Sequence, residues 1–367
     1  MRTLFRSISV SSGLAMFAMF FGAGNVVFPL AVGRMVEGGV IAAMGGLILT
    51  AILIPFGGLI SMSLYNGDYL AFFRRVGKVP GMCLLLLIIG LIGPFGGIPR
   101  CITLTYSTLK LYMPALSLLW FAVGAVLLTF LCCWRKNRVI SLLGYVLTPL
   151  LLIFLGIILV KGLFFSPHML HHEAPKLADF MTGLKEGYNT MDLLAAFFFS
   201  SIICQSMQSR LDAKNKGHRL LITSFKASMI GAVFLALVYV GFAFLAASHS
   251  HLLADVGGDQ LLGKIGAVIM GPMAGLVVSM AVAMACLTTA IGLTTVTSEF
   301  LQKHVLKDRV NYLGCVVLTL VITGLISLLG FSGIVSLLAP VLSICYPGFL
   351  VLCAYNLIHK SILIKQN

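Results

Sequence analysis

Apolar residues run almost unbroken along this chain, interrupted by short basic or turn-rich stretches. Ten runs are long enough to cross a bilayer as helices, at about 20 residues each. They cover 8–33, 39–65, 81–109, 114–134, 139–163, 187–208, 221–247, 262–300, 311–329 and 332–358. The eighth is unusually long and is expected to tilt or to extend beyond the bilayer. The most informative polar positions lie inside the first run, in Phe20-Phe21-Gly22-Ala23-Gly24-Asn25-Val26-Val27-Phe28-Pro29. A membrane helix satisfies its backbone N–H and C=O groups internally, because hydrocarbon offers no partners. Two glycines, an asparagine and a proline in one turn-rich stretch predict that this helix opens. A first half-helix ending near Phe21 would leave carbonyls free, a partial negative charge suited to a cation. A second half starting near Ala23–Asn25 would leave amides free, suited to a carboxylate. Pro29 falls early in that second half, where a missing N–H costs little. One segment can therefore meet both ends of a zwitterion.

An even number of spans puts both termini on one side. Eighteen of the 25 lysines and arginines fall at the termini and in alternate loops, which places those loops and both termini in the cytoplasm. Ten spans divide into two halves of five, 1–163 and 187–367, joined by an external connector over 164–186. Five spans per half force the second half to insert upside down, the inverted-repeat plan of many transporters, which hold substrate at interrupted helices near the midplane. Arg2 and Arg6 before an apolar stretch imitate a signal peptide. With Phe28-Pro29 and Arg34 following and no clear cleavage site, the segment is read as a mature span.

Composition strengthens this reading. The chain is 59% hydrophobic and 10% charged, with a mean hydropathy of +1.06. Soluble domains carry about 25% charged residues, so an all-α polytopic membrane protein embedded in a lipid bilayer is indicated. The formal charge of +14 sits in clusters between apolar runs, as topology signals and not as a nucleic-acid-binding face. The nine cysteines form no CxxC pair, so neither a zinc site nor a disulfide framework is indicated. No cofactor is implied. His168, His171 and His172 share the external connector with Glu173 and Asp179, without a defined ligand geometry for metal.

Three further constellations carry chemistry. The sixth span corresponds to the first in the other half. It reads Gly187-Tyr188-Asn189-Thr190-Met191-Asp192 and continues through Ala195, Ala196 and Phe197-Phe198-Phe199. It has an acid and hydroxyls but no glycine after its first residue, so where it opens is not spelled out. Small and aromatic residues there suit an aliphatic side chain, although a 100° turn per residue prevents all three phenylalanines from facing inward. In the eighth span Ala285, Thr288 and Thr289 share a helical face and offer a hard, oxygen-only environment suited to Na⁺. The alternative is that each threonine bonds back to its own helix. Arg100 and Asp192 are the ionisable residues placed most clearly within spans, where a charge is a functional candidate by default. They either pair with each other or line an external vestibule, as a structural ion pair or a gate.

FGAGNVVFP (21–29), GPFGGIPR (93–100), GYNTMD (187–192) and ACLTTAIGL (285–293) together resemble the branched-chain amino acid:cation symporters. The resemblance implies a LeuT-type five-plus-five fold and uptake of leucine, isoleucine and valine with a cation, usually Na⁺. It implies a sodium site built from the carbonyls of Ala18, Phe21 and Ala285 and the hydroxyls of Thr288 and Thr289. The substrate carboxylate would meet the amides of Ala23 and Gly24, and its amine the carbonyl of Phe20 and carbonyls of the sixth span. Asn25 would orient the break or touch a second cation. Spans 1, 2, 6 and 7 would rock against the rest. The family usually has two further spans after the tenth; this chain stops at Asn367 with the five-plus-five core complete, and transport is expected to be retained. The nearest rival is the same fold with proton coupling or another small neutral amino acid as cargo. An ion channel would not need a break matched to an amine and a carboxylate. An enzyme would need a base and a nucleophile converging at depth.

Overall fold

The computed structural model describes residues 8–36, 39–134, 148–164, 177–209, 216–253, 255–271 and 275–366, and among them helices are the only regular elements. The first apolar run forms α1 (Ile8–Phe20) and α2 (Ala23–Met35), bent by 71° at the glycine-rich break. A long α3 (Val40–Ser63) and a short α4 (Tyr69–Phe73) follow. The third run is α5 (Lys78–Ile92) and α6 (Gly97–Lys110), separated by the turn at Gly93-Pro94-Phe95-Gly96. Then come α7 (Leu118–Cys133), α8 (Thr148–Phe164), α9 (Leu177–Asn189) and α10 (Asp192–Gln208), the last two bent by 43°. The chain continues as α11 (Lys216–Ser248), α12 (Leu261–Met270), α13 (Gly275–Phe300), α14 (Tyr312–Ser327) and α15 (Gly330–Gln366). Among the described residues five stretches are long and apolar enough to cross a membrane alone, two bent pairs do so jointly, and three shorter apolar helices match the remaining runs.

Two boundaries differ from the sequence reading, and a third that it left open is placed. The sixth span starts at Leu177, inside the stretch read as connector. Its first half carries Asp179, Lys185 and Glu186, which masked it as polar, yet it packs along α3. The eighth run is two helices, because Gly271 takes the left-handed region at φ +76° after α12. The sixth span opens at Thr190–Met191, with Met191 itself left-handed at φ +65°. His168, His171, His172 and Glu173 lie outside the described residues.

The first and sixth spans sit at the centre. Every residue of α2 from Ala23 to Gly33 is buried, and so is α10 from Asp192 to Ser200. Such helices are apolar all round, which is why periodicity says little about their facing. Close backbone approach holds them. Gly33 lies on α11, where an added Cβ would come within 2.9 Å of Ala243 Cα, and Gly183 lies on α3, within 3.0 Å of Ala43 Cα. Small residues at such crossings supply the packing that membrane helices need, since lipid gives them no hydrophobic drive to associate. Gly33→Leu is therefore expected to destabilise the protein by about 1–3 kcal/mol or more. Thermal unfolding of purified protein in detergent checks it. Gly124→Leu, with no atom within 4 Å of the added Cβ, is the control expected to be neutral.

Candidate functional site

The two breaks meet. A Cβ on Gly24 would lie 2.9 Å from Thr190 Cα and 3.4 Å from an Arg100 terminal nitrogen, so the opening in the first span rests directly on the opening in the sixth. The backbone accounting at the first break explains how it stays open. Phe21 N–H still bonds to Phe17 O at 2.8 Å, and the ladder resumes with Val26 N–H to Gly22 O at 3.2 Å. Between them the Gly22 N–H is taken by Asn25 Oδ1 at 3.1 Å. This diverts the donor that an unbroken helix would give to the Ala18 carbonyl. The next amide, Ala23, lies against Cys101 Sγ, which also abuts the Cys286 thiol. The carbonyls of Ala18 and Met19 are thus released from their own helix.

Threonine hydroxyls of α13 take them up. Thr288 Oγ1 bridges the Ala18 carbonyl at 2.9 Å and the Ala285 carbonyl at 2.8 Å, while Thr289 Oγ1 donates to Met19 O at 3.1 Å. Of the five oxygens expected at the cation site, those of Ala18, Ala285 and Thr288 converge. Thr289 reaches Met19 and not Phe21, because the residue facing α13 at this height is set by the 71° bend. Phe21 directs its ring to Phe17 and Phe242. It remains next to the cluster through the backbone, since a Cβ on Gly22 would lie 2.7 Å from Thr289 Oγ1. Thr288 bonds back to its own helix at Ala285 and also crosses to α1 at Ala18.

Asn25 also joins the breaks. Its Nδ2 donates to Asp192 Oδ2 at 2.6 Å and meets the Tyr239 hydroxyl, which itself donates to Asp192 Oδ2 at 3.1 Å. Of the two alternatives for Arg100 and Asp192, direct pairing is not what the geometry shows. The left-handed turn at Met191 ends α9 and presents the Asn189 carbonyl, and both terminal nitrogens of Arg100 donate to it at 3.0 Å. A helix C-terminus is a favourable partner for a cation. The guanidinium also lies 5.0 Å from the Phe28 ring and 5.8 Å from the Phe331 ring. Arg100 and Asp192 are each 3% exposed.

These groups surround an internal cavity of about 40 Å³. Its lining is partly polar, with Gly24, Asn25, Arg100, Thr190 and Asp192, and partly apolar, with Phe20, Ile92, Ala195, Phe199 and Leu293. Ala23 and Thr289 line it too. Of the predicted substrate contacts Ala196 and Phe197 do not. Ala195 and Phe199 are four residues apart on one helical face, whereas Phe197 turns away onto Phe72, Phe73 and Phe349. Phe198 packs on Tyr69 of α4 at 4.9 Å and on Phe300, and the Tyr69 hydroxyl meets His304 Nε2 at 3.2 Å. Burial, then the charges of Glu299 and Asp68, push the Tyr69 hydroxyl up to about 12, so it stays protonated in this closure. Tyr239, Cys101 and the Met19 carbonyl were not singled out in the sequence. A tyrosine inside an apolar run was the available signal for Tyr239, since a buried hydroxyl needs a partner. Among the described residues no group of three metal-ligating side chains comes together.

The family model described as branched-chain amino acid transport protein matches residues 6–367. The branched-chain amino acid permease BraB of Bacillus subtilis is 30% identical over 356 residues, covering 95% of this chain and 79% of that protein. The branched-chain amino acid permease BrnQ of the same organism is 28% identical over 358 residues, covering 95% and 80%. Among solved structures, Mhp1, a nucleobase-cation-symport-1 family transporter in a closed conformation with bromovinylhydantoin bound, matches with a TM-score of 0.65 at 15% identity, covering 96% of this chain and 79% of that one. A Na⁺-coupled sialic acid symporter in a substrate-bound outward-open state matches with a TM-score of 0.55 at 15% identity, covering 97% and 80%. At such identities these two establish the fold, a LeuT-type arrangement of helices.

Proposed function

The chain belongs to the branched-chain amino acid transport protein family, and from that premise we propose that it carries leucine, isoleucine and valine into the cell by Na⁺-coupled alternating access. It is a transporter and not an enzyme. The observation that carries the cargo is the cavity between the two breaks, lined by both polar and apolar side chains. An amino acid with a branched apolar side chain has both characters. The carboxylate lies toward the first amides of α2, the amine toward the Phe20 carbonyl, and the side chain toward Ala195, Phe199 and Leu293. Na⁺ occupies the oxygen cluster of Ala18, Ala285, Thr288 and Thr289, with the Phe21 carbonyl brought in as the break adjusts. Its ligands come from α1 and α13, which belong to the rocking bundle and to the static frame, so its binding energy biases the equilibrium between states. The basic loops favour both termini in the cytoplasm, the count of ten spans favours two five-helix halves, and residence in the cell membrane completes this reading.

The test is uptake of radiolabelled leucine into proteoliposomes under an inward Na⁺ gradient, with K⁺ as control. The expected result is saturable uptake that requires Na⁺ and competes with isoleucine and valine. Asp192, a carboxylate lining the cavity, favours the second reading, proton coupling. Uptake indifferent to Na⁺ and driven by a pH gradient would establish that instead. No leucine uptake under either gradient would sink the cargo.

A further inference from the structure

Two opposite charges line one small cavity and do not meet. Arg100 spends both terminal nitrogens on a backbone carbonyl, and its Nε is buried with no hydrogen-bond partner. Asp192 accepts from neutral groups only, those of Asn25, Tyr239 and Thr190. Glu186 and Asp192 lie within electrostatic reach of Arg100 but neither bonds to it, and a buried charge without direct pairing is costly and marks function more often than packing. Were the pair structural, the geometry would close it into an ion pair. Instead α9 ends so that Asn189 holds the guanidinium to one side, and Asn25 and Tyr239 hold the carboxylate to the other. Gly24 stands beside the guanidinium, bare of a side chain where a Cβ would lie 3.4 Å from it.

We infer that Arg100 and Asp192 form a zwitterion clamp, Arg100 meeting the carboxylate of the transported amino acid and Asp192 its ammonium group. This rests on reading the cavity as the amino-acid site and adds two side-chain charges to the backbone contacts proposed there. A zwitterion laid antiparallel to the Arg100–Asp192 dipole gives each buried charge its counter-charge and leaves the site neutral. Cargo lacking either charge leaves one side chain uncompensated. The clamp thus rejects amines and carboxylic acids of the same shape, selectivity gained by penalising the wrong ligand.

The test compares leucine with 4-methylpentanoate, which lacks the ammonium, and isopentylamine, which lacks the carboxylate. Each is titrated by thermal stabilisation of the purified protein in saturating Na⁺. Wild type responds to leucine and far less to either analogue. Arg100→Gln weakens leucine about 10- to 100-fold, as for loss of a charged hydrogen bond, and narrows its advantage over isopentylamine. Asp192→Asn, of the same shape, weakens leucine similarly and narrows its advantage over 4-methylpentanoate. Stabilisation by Na⁺ alone is retained in both. Parallel weakening of all three ligands in either variant overturns the clamp and leaves a structural role. Should Arg100→Gln not purify as folded protein, Asp192→Asn carries the test alone. Wild type that ignores leucine but responds to another neutral amino acid overturns the branched-chain cargo, and the clamp is then read with that amino acid's two analogues. Indifference to all neutral amino acids overturns both.

Discussion

Asn25→Ala is expected to reduce leucine uptake a hundredfold or more while the helices remain in place. The side chain performs three tasks at the meeting of the breaks. Its oxygen holds the Gly22 N–H, and its nitrogen reaches both Asp192 Oδ2 and the Tyr239 hydroxyl. Alanine orphans a buried amide, worth about 1–3 kcal/mol, and takes from a buried carboxylate one of its donors, worth about 1.5–3 kcal/mol. At about 1.4 kcal/mol per decade these together come to about two to four decades. The freed Gly22 N–H can also return to the Ala18 carbonyl and begin to re-close the helix, which removes a cation ligand as well. Tyr239→Phe removes only one donor from Asp192 and is expected to cost about 10- to 100-fold, less than Asn25→Ala. Asn25→Asp places a second carboxyl group 2.6 Å from Asp192 Oδ2, the distance Asn25 Nδ2 now has, and is expected to be worse than alanine through like-charge repulsion. Initial rates of uptake at saturating Na⁺, beside thermal unfolding of each variant, check these outcomes. Wild-type rates in Asn25→Ala would mean that the network does not hold the break.

The place of the first break was legible in Gly22, Gly24 and Pro29, but for a reason that the structure replaces. Neither glycine takes a left-handed conformation. What excludes a side chain is space: Thr289 stands 2.7 Å from a Cβ on Gly22, and Thr190 stands 2.9 Å from one on Gly24. The second break had no such marker, because Met191, a residue with no liking for φ +65°, occupies the turn. Tertiary contacts hold it there, including Arg100 on the Asn189 carbonyl. The first half of the sixth span hid for a different reason. A window tuned to hydrocarbon rejects Asp179, Lys185 and Glu186, although Glu186 and Asn189 bond to each other. Facing was least legible. With lipid outside and protein inside both apolar, nothing in Phe197-Phe198-Phe199 says which ring lines the cavity, and all three are fully buried. Register between spans, such as Thr289 on Met19, depends on a bend angle that no local pattern encodes.

Thr288→Val is expected to raise the Na⁺ concentration for half-maximal leucine uptake about 10- to 100-fold, with little change in the rate at saturating Na⁺ where that can be reached. Valine keeps the shape and removes the one side-chain oxygen that spans α13 and the released Ala18 carbonyl. Na⁺ is a hard cation and takes oxygen ligands. Losing a ligand of a charged species costs about 1.5–3 kcal/mol, hence the range. Thr289→Val removes a hydroxyl that now engages only Met19 O, and a comparable shift is expected if that hydroxyl turns to the cation. The double variant should show less than the sum of the two shifts, because both hydroxyls hold the same end of α1 and act as a unit. Thr288→Ser, which keeps the oxygen, should restore Na⁺ dependence to near wild type. The controls follow from the geometry. Neither threonine contacts Arg100 or Asp192, so the preference for leucine over its two analogues should survive in both variants while their Na⁺ response moves. An unmoved Na⁺ response would take the coupling cation away from this cluster. The carboxylate at Asp192 would then be the group to examine under a pH gradient, and the threonines would be a hinge pin between α1 and α13.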